Sequence, residues 1–219
     1  MKGRIVIAGG TGLIGKQVVA ELAGLDVTET HMLFRTSAVT PPLGIKQHIA
    51  PPENWPDVVR KLKPEIAICT IGTTMKVAGS KEAFRAVDYD LVLAFATAAR
   101  EAGAQQCICV SSVGALAGSP NFYMNTKGEV EVALSALDFS RLDILRPGLL
   151  TGGKRSESRL GESLASLVSP ISDLLMLGPL SKYRSTPSDR VARAIVTLAL
   201  GGGYGRFIHE NDSISALSG

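Results

Sequence analysis

The sequence of 219 residues contains few of the residues that build disulfide frameworks or metal centres. Its three cysteines are an odd number without a metal-ligand spacing, and each falls in an apolar segment typical of a core strand. Its histidines, His31, His48 and His209, are isolated and show no metal-ligand spacing either. We therefore predict no metal site, and we interpret the cysteines as buried thiols in a reducing compartment.

Long apolar runs and concentrated charge are also missing. No run approaches the ~18–20 apolar residues that cross a bilayer, and the short apolar start at residues 5–8 does not have the pattern of a signal peptide. The net charge is only +3, and the basic residues are scattered rather than gathered in a stripe. We expect a cytoplasmic protein with no integral membrane segment and no nucleic acid partner.

Short apolar segments alternate with helical patterns along the first two thirds of the chain. This alternation is typical of βαβ units, in which right-handed crossovers build a parallel sheet. It predicts an α/β fold, a doubly wound parallel sheet with helices on both faces, in a single domain of residues 1–219. The predicted strands are residues 4–8, 30–35, 45–50, 66–71, 107–111 and 141–145, and the predicted helices are residues 13–22, 55–62, 81–102 and 123–137.

A glycine-rich loop lies between the first predicted strand and the first predicted helix. Gly9, Gly12 and Gly15 form a G-x-x-G-x-x-G series. The first glycine allows a tight turn, the second leaves room for a pyrophosphate, and the third lets the helix pack close to the strand. A flexible turn is the alternative, but the strand–turn–helix context favours a Rossmann-type nucleotide site. Its predicted contacts are Gly9, Thr11, Gly12, Leu13, Ile14 and Gly15.

The end of the second predicted strand lacks the acidic residue that usually accepts a hydrogen bond from the ribose of NAD. Phe34, Arg35 and Thr36 stand there instead. A guanidinium can bind a 2′-phosphate in bidentate fashion, and Thr36 or Ser37 can add a hydroxyl. We predict that the chain prefers NADP(H), with NAD(H) as the alternative cofactor. A solvent-exposed Arg35 without a ligand is the competing interpretation.

Tyr123 and Lys127 lie four residues apart in a predicted helix, so both side chains can reach one ligand. A tyrosine can donate a proton to a carbonyl that receives a hydride, and a neighbouring ammonium favours the phenolate form. Lys127 can also bind ribose hydroxyls. Ser111 and Ser112 end the fifth predicted strand, at the edge where open α/β sheets bind ligands. An ordinary helix with an exposed lysine is the alternative interpretation of the Tyr–Lys pair.

These motifs resemble, in order and spacing, the short-chain dehydrogenase/reductase superfamily. More narrowly, the chain is similar to its atypical branch, which contains the Tat-interacting-protein-like oxidoreductases. The segments that carry this similarity are residues 69–74 (CTIGTT), 87–88 (VD), 123–131 (YMNTKGEVE) and 146–148 (RPG).

The resemblance implies roles for individual residues. Ser112, rather than Ser111, would orient the substrate, and Tyr123 and Lys127 would be its catalytic partners. Gly72 would pass close to the cofactor. The residues implied to flank the nicotinamide are Pro147 and Gly148. The long predicted helix shows no counterpart of the asparagine that many relatives use for proton relay.

The last third of the chain is less regular. Residues 149–190 are predicted to form a small substrate or lid region. Lys154, Arg155 and Arg159 can meet an anionic substrate or the cofactor phosphates there, and a solvated loop is the alternative. Thr186, followed by a proline and an acidic first turn, predicts the N-cap of a helix.

Two functions are consistent with these features. The first is an NADPH-dependent oxidoreductase that acts on a carbonyl or a related small molecule. The second is a regulatory or redox-sensing protein that binds NADP(H), has little turnover and engages a protein partner. The presence of Ser112, Tyr123 and Lys127 favours the enzyme.

Overall fold

The computed structural model describes residues 3–25, 28–36, 40, 42–152 and 184–219. Its main sheet consists of the strands β1 (Gly3–Ala8), β2 (Thr28–Phe34), β3 (Ile45–Ile49), β4 (Ile66–Cys69), β5 (Gln106–Val110), β6 (Arg141–Leu145) and β9 (Gly205–His209). These seven described strands are parallel and lie in the order β3-β2-β1-β4-β5-β6-β9. The strand order reverses between β1 and β4, and open α/β sheets generally bind ligands at the carboxyl ends of the strands at such a point.

Helices pack on both faces of this sheet. One face carries α1 (Leu13–Ala23), α7 (Ser188–Leu200) and α8 (Asn211–Leu217). The other face carries α2 (Trp55–Leu62), α5 (Val92–Glu101) and α6 (Phe122–Ser135). Two short helices, α3 (Met75–Ala78) and α4 (Lys81–Arg85), precede α5. The predicted doubly wound α/β fold is therefore confirmed.

Alternating apolar side chains hold the central strands between the two helical layers. In β1, Ile5 and Ile7 pack towards α1 and α7, whereas Val6 and Ala8 pack towards α2 and α5. All four side chains are fully buried, and burial of each isoleucine stabilises the fold by about 1.5–3 kcal/mol. The three cysteines are buried free thiols on β4 and β5, as the apolar context of each one predicted.

The predicted helix over residues 81–102 is interrupted in the structure. A π-helical segment at Ala86–Leu91 joins α4 to α5, and Asp88 lies inside it, fully buried. Such segments are rare and frequently occur at functional sites. The strand β9 was not predicted, because its residues Gly205 to Ile208 are exposed and show no alternation of buried and solvent-facing positions.

The prediction that Thr186 caps a helix is wrong. Helix α7 begins at Ser188 with Pro187 at its N-cap position, and Thr186 lies in the short strand β8 (Thr186–Pro187), which pairs with β7 (Leu150–Thr151). Its hydroxyl accepts a hydrogen bond from the Gly148 amide and donates one to Asn211 Oδ1, both at 3.0 Å. A hydroxyl committed to these partners cannot cap the helix.

Several predictions concern residues outside the described ranges. Ser37, Lys154, Arg155 and Arg159 belong to them, together with most of the predicted region 149–190. The single-domain division of residues 1–219 stays a prediction. Within the described ranges, no helix has the length and apolar character needed to span a membrane. The same residues contain no group of three side chains suited to hold a metal ion.

Candidate functional site

The loop between β1 and α1 has a backbone that only glycines allow. Gly9 has a φ of +86°, and a Cβ there would lie 2.5 Å from the carbonyl carbon of Thr70. A Cβ on Gly15 would lie 2.2 Å from the carbonyl oxygen of Gly9. A Cβ on Gly12 would have one described neighbour within 4 Å, the same carbonyl oxygen of Gly9, at 3.2 Å. The loop is thus tightly packed at Gly9 and Gly15, whereas few described atoms surround the Cβ position of Gly12.

The amino end of α1 follows this loop. Gly12 is the N-cap residue, and no described side chain caps the helix. The amides of Leu13, Ile14 and Gly15 therefore point out of the first turn without helical acceptors, at the positive end of the helix dipole. This arrangement fits a diphosphate, which would bind these amides rather than the side chains of Leu13 and Ile14. Thr11 is exposed beside them.

The residues predicted to distinguish NADP(H) from NAD(H) follow β2. Arg35 and Thr36 are both exposed, directly after the last residue of the strand. Since β2 pairs in parallel with β1, its carboxyl end lies beside the glycine loop. The exposed guanidinium of Arg35 is available to a phosphate on the ribose, and the described residues offer no carboxylate at this strand end.

Lys127 lies on α6 and is buried, with 7% of its side chain exposed. Its Nζ lies 2.7 Å from Oδ1 of Asp88, while Oδ2 of Asp88 accepts a hydrogen bond from the Thr73 amide at 2.8 Å. A Cβ on the exposed Gly72 would lie 3.6 Å from Oδ1 of Asp88. The carboxylate thus joins the loop after β4 to the helix that carries the predicted catalytic residues.

The surroundings of Lys127 keep its side chain protonated. Burial lowers the pKa of Lys127, but the charge of the Asp88 carboxylate and its hydrogen bond with the ammonium act in the opposite direction, and the pKa lies above its ordinary value of 10.5. An unpaired ammonium at this depth would be strongly destabilising. The buried lysine and the buried aspartate therefore depend on each other.

The two serines after β5 have different environments. Ser111 is buried and donates a hydrogen bond from its hydroxyl to Glu131 on α6. Glu131 also accepts hydrogen bonds at 3.0 and 3.2 Å from Nε of Arg146, and these bonds raise the pKa of Arg146. Ser112 is half-buried, and its hydroxyl makes a weak contact of 3.3 Å with the carbonyl oxygen of Val113. Ser112 is the hydroxyl that a ligand can engage.

The loop after β6 is held against the loop after β5. The amide of Ser111 donates to the carbonyl of Leu145 at 2.8 Å, and the amide of Val113 donates to the carbonyl of Pro147 at 3.0 Å. The Gly148 amide donates to the hydroxyl of Thr186. Pro147 and Gly148 are therefore fixed beside Ser112, at the carboxyl edge of the sheet.

Tyr123 lies in the first turn of α6. This helix begins at Phe122, after Asn121, whose side chain accepts a hydrogen bond from the Met124 amide at 3.1 Å. The ring of Tyr123 is half-buried, with its centroid 5.6 Å from that of Phe84. A Cβ on Gly128 would lie 2.0 Å from the Ala117 nitrogen, so the segment after Ser112 passes directly over α6.

Two buried carboxylates were missed as site residues from the sequence. Asp88 stands in the apolar stripe of the predicted long helix, and Glu131 follows Lys127 by one helical turn. A carboxylate at a buried helical position requires a cationic or hydrogen-bonding partner. That requirement was the available signal, but the partners, Lys127 and Arg146, cannot be identified without the packing.

Comparison with protein families gives a match to the family described as HIM1, over residues 47–178. A relative named "Protein FMP52, mitochondrial" from Coccidioides immitis is 35% identical over 208 residues, which cover 89% of this chain and 84% of that protein. FMP52 proteins from other fungi also match, including one from Lodderomyces elongisporus that is 39% identical over 170 residues, 73% of this chain and 71% of that protein.

Solved structures with a similar fold include enzymes in complex with NAD. The Bordetella bronchiseptica enzyme WbmG in complex with NAD has a TM-score of 0.68 and 16% identity, and the match covers 96% of this chain and 73% of that one. The UDP-glucose 4-epimerase of Thermus thermophilus in complex with NAD has a TM-score of 0.69 and 19% identity, with 97% and 81% covered. These likenesses confirm the predicted fold, and membership of the short-chain dehydrogenase/reductase superfamily stays a prediction. The narrower Tat-interacting-protein branch stays a prediction.

The names of the relatives contradict the prediction of a cytoplasmic protein. The FMP52 proteins that match this chain are called mitochondrial. The cytoplasmic prediction rested on buried thiols and on the lack of a long apolar run. Neither property distinguishes one reducing compartment from another.

Proposed function

Since this chain belongs to the HIM1 family, with FMP52 proteins among its relatives, we propose that it is an oxidoreductase that uses a nicotinamide dinucleotide, preferentially NADP(H). We further assign it to the atypical branch of the short-chain dehydrogenases that contains the Tat-interacting-protein-like enzymes. The observation that carries the proposal is the buried ammonium of Lys127, held 2.7 Å from Asp88 at the sheet edge where the glycine loop and Ser112 also lie.

The fit of the residues to the cofactor supports the proposal. The open space in front of Gly12 and the uncapped amides of α1 suit a pyrophosphate. The exposed Arg35 suits a 2′-phosphate, which supports NADP(H), whereas the WbmG and Thermus thermophilus epimerase structures are complexes with NAD. Gly72, Pro147 and Gly148 would lie along the nicotinamide half. When bound, the cofactor would supply or accept the hydride.

The chain's own groups would handle the proton and the substrate oxygen. The phenol of Tyr123 would donate a proton to the carbonyl oxygen of a small-molecule substrate, and the hydroxyl of Ser112 would hold that oxygen by a hydrogen bond. The ammonium of Lys127 would bind ribose hydroxyls. Proton transfer of this kind usually contributes about 10²–10⁴ in rate.

A screen of the purified protein would test the proposal. NADPH and NADH binding is measured by calorimetry, and NADPH oxidation is followed with aldehydes, ketones and quinones. Tyr123→Phe should bind NADPH normally but lose about 10²–10⁴ in turnover, whereas Lys127→Met should lose affinity and turnover together. Tyr204→Phe is the matched control, because Tyr204 is 85% exposed.

The outcomes of this screen separate the two functional classes. Failure of the chain to bind either nucleotide would overturn the proposal. Tight NADPH binding without turnover on any compound of the panel would favour the regulatory alternative. A Tyr123→Phe variant that turns over at the wild-type rate would remove the proton-donor role.

A further inference from the structure

We infer that Asp88 is a positioning residue that keeps the ammonium of Lys127 charged and oriented for the nucleotide. This inference rests on the proposed function, and it assigns a role to a residue outside the Ser–Tyr–Lys set. Its measurable consequence is that nucleotide affinity does not vary with pH across the neutral and mildly alkaline range.

The geometry places Asp88 between two parts of the nucleotide site. Its carboxylate is fully buried in the π-helical segment between α4 and α5. One oxygen lies 2.7 Å from Lys127 Nζ, and the other accepts the amide hydrogen of Thr73 at 2.8 Å. The same carboxylate lies beneath Gly72, whose exposed backbone follows β4. A shift of Asp88 would therefore move the ammonium and the loop together.

No other described carboxylate contacts this ammonium. Tyr123, on the same helix, presents a phenol, and Cys109 of β5 presents a thiol. The pKa of Cys109 is raised well above its ordinary value, first by its hydrogen bond with Cys69 and then by burial, so the thiol is neutral. Glu131 is already bound by Ser111 and Arg146. Asp88 is therefore the carboxylate that balances the charge of Lys127.

The ion pair leaves the ammonium free to bind a ligand. At 2.7 Å the ammonium of Lys127 donates one hydrogen to Oδ1 of Asp88. An ammonium has three hydrogens, and the described residues show no second acceptor for those of Lys127. Asp88 thus supplies the compensating charge, and hydrogens of Lys127 remain available for ribose hydroxyls.

Without the carboxylate of Asp88, burial would lower the pKa of Lys127, and no other described carboxylate would oppose this effect. Burial disfavours the charged form of a lysine, so Asp88→Asn should lower the pKa of Lys127 from its present raised value. As the pH rises through this lowered value, the variant loses the ammonium and its contact with the nucleotide. A hydrogen bond from a charged group contributes about 1.5–3 kcal/mol, so the loss in affinity should reach about tenfold or more.

The experiment measures the dissociation constant of NADPH between about pH 7 and pH 9 by the change in its fluorescence. The wild-type chain and Asp90→Asn should give flat profiles, because Asp90 is an exposed residue of the same π-helical segment. Asp88→Asn should lose affinity as the pH rises, by about tenfold or more across the range. Asp88→Asn combined with Lys127→Met should be flat again, because the titrating group is gone.

A flat profile for a folded Asp88→Asn would overturn the inference. If this variant does not fold, the double variant carries the test, because it removes both buried charges. The double variant should then bind NADPH as Lys127→Met does alone, and weaker binding would show that Asp88 acts independently of Lys127 and would overturn the inference. A wild-type chain that does not bind NADPH would instead refute the proposed function.

Discussion

The hydroxyl of Ser111 donates a hydrogen bond to the carboxylate of Glu131, twenty residues further along the chain. This contact gives the two serines after β5 different environments. Ser111 is committed to a buried cluster with Glu131 and Arg146, whereas the hydroxyl of Ser112 has only a 3.3 Å contact with a neighbouring carbonyl. The hydroxyl of Ser112 is therefore the more available of the two, and its role towards a substrate stays a proposal.

Alanine at each serine should produce opposite effects. Ser111→Ala removes a hydrogen bond to a charged group and should lower the free energy of unfolding by about 1.5–3 kcal/mol, with little effect on NADPH affinity. Ser112→Ala should change stability by less than about 0.5 kcal/mol but reduce turnover. Urea unfolding and NADPH titration of both variants measure these effects. A stable Ser111→Ala that has lost turnover would reverse the assignment.

The glycine loop predicts a substitution that affects binding but not folding. Gly12→Val places a Cβ 3.2 Å from the Gly9 carbonyl oxygen and near no other described atom, so a small shift of the loop should preserve the fold while NADPH binding is lost. Gly15→Ala is the contrasting variant, because its Cβ would lie 2.2 Å from the Gly9 carbonyl oxygen and should destabilise the fold. Calorimetric titration together with thermal unfolding separates the two effects. Normal affinity in a folded Gly12→Val would rule out a pyrophosphate at this loop.

Arg35 should determine the preference between the two dinucleotides. Arg35→Ala should weaken NADPH binding by about 1.5–3 kcal/mol and leave NADH binding nearly unchanged, because NADH has no 2′-phosphate. Arg35→Lys keeps the charge without the bidentate geometry and should give an intermediate loss. Parallel titrations with both nucleotides measure the difference. Equal losses for NADPH and NADH would mean that Arg35 contacts a part common to both.

The stability of the fold should decrease as the solution becomes acidic. His31 and His48 lie on adjacent strands with Nδ1 of one 2.8 Å from Nε2 of the other. Burial lowers the pKa of both from 6.5, and the charge of His48 further lowers that of His31, as the charge of Lys46 does for His48. The unfolded chain thus binds protons more readily than the folded chain. Stability should be constant well above pH 6.5 and fall as the pH decreases through this value.

Urea unfolding between about pH 5 and pH 8 measures this loss. Each histidine can contribute a slope of at most about 1.4 kcal/mol per pH unit. His48→Gln removes one of the two titrating groups, so its stability should fall less steeply than that of the wild-type chain. A wild-type stability that stays constant or rises on acidification would contradict the prediction.

Much of the fold could be predicted because its signals are local. β1 shows its burial in four consecutive apolar residues, and the glycine loop combines its turn and its helix start within a few positions. The spacing of Tyr123 and Lys127 places both on one helix regardless of what that helix packs against. Such features depend on backbone geometry and on side-chain periodicity, which neighbouring residues determine.

The partners of the buried polar residues depended on the tertiary structure. The sequence shows Asp88 and Lys127 on different helices, and only the packing of α6 beside the π-helical segment brings them to 2.7 Å. His31 and His48 are isolated in the sequence but meet because β2 and β3 pair in register. Thr186 has the local features of an N-cap, yet its hydroxyl bonds to Gly148 and Asn211. The sequence by itself determined the first six strands of the main sheet and the helices α1, α2, α5 and α6, and it predicted a nucleotide site at the glycine loop. Which charges and hydroxyls are paired was decided by contacts between distant segments, because burial forces polar groups to find partners wherever the fold supplies them.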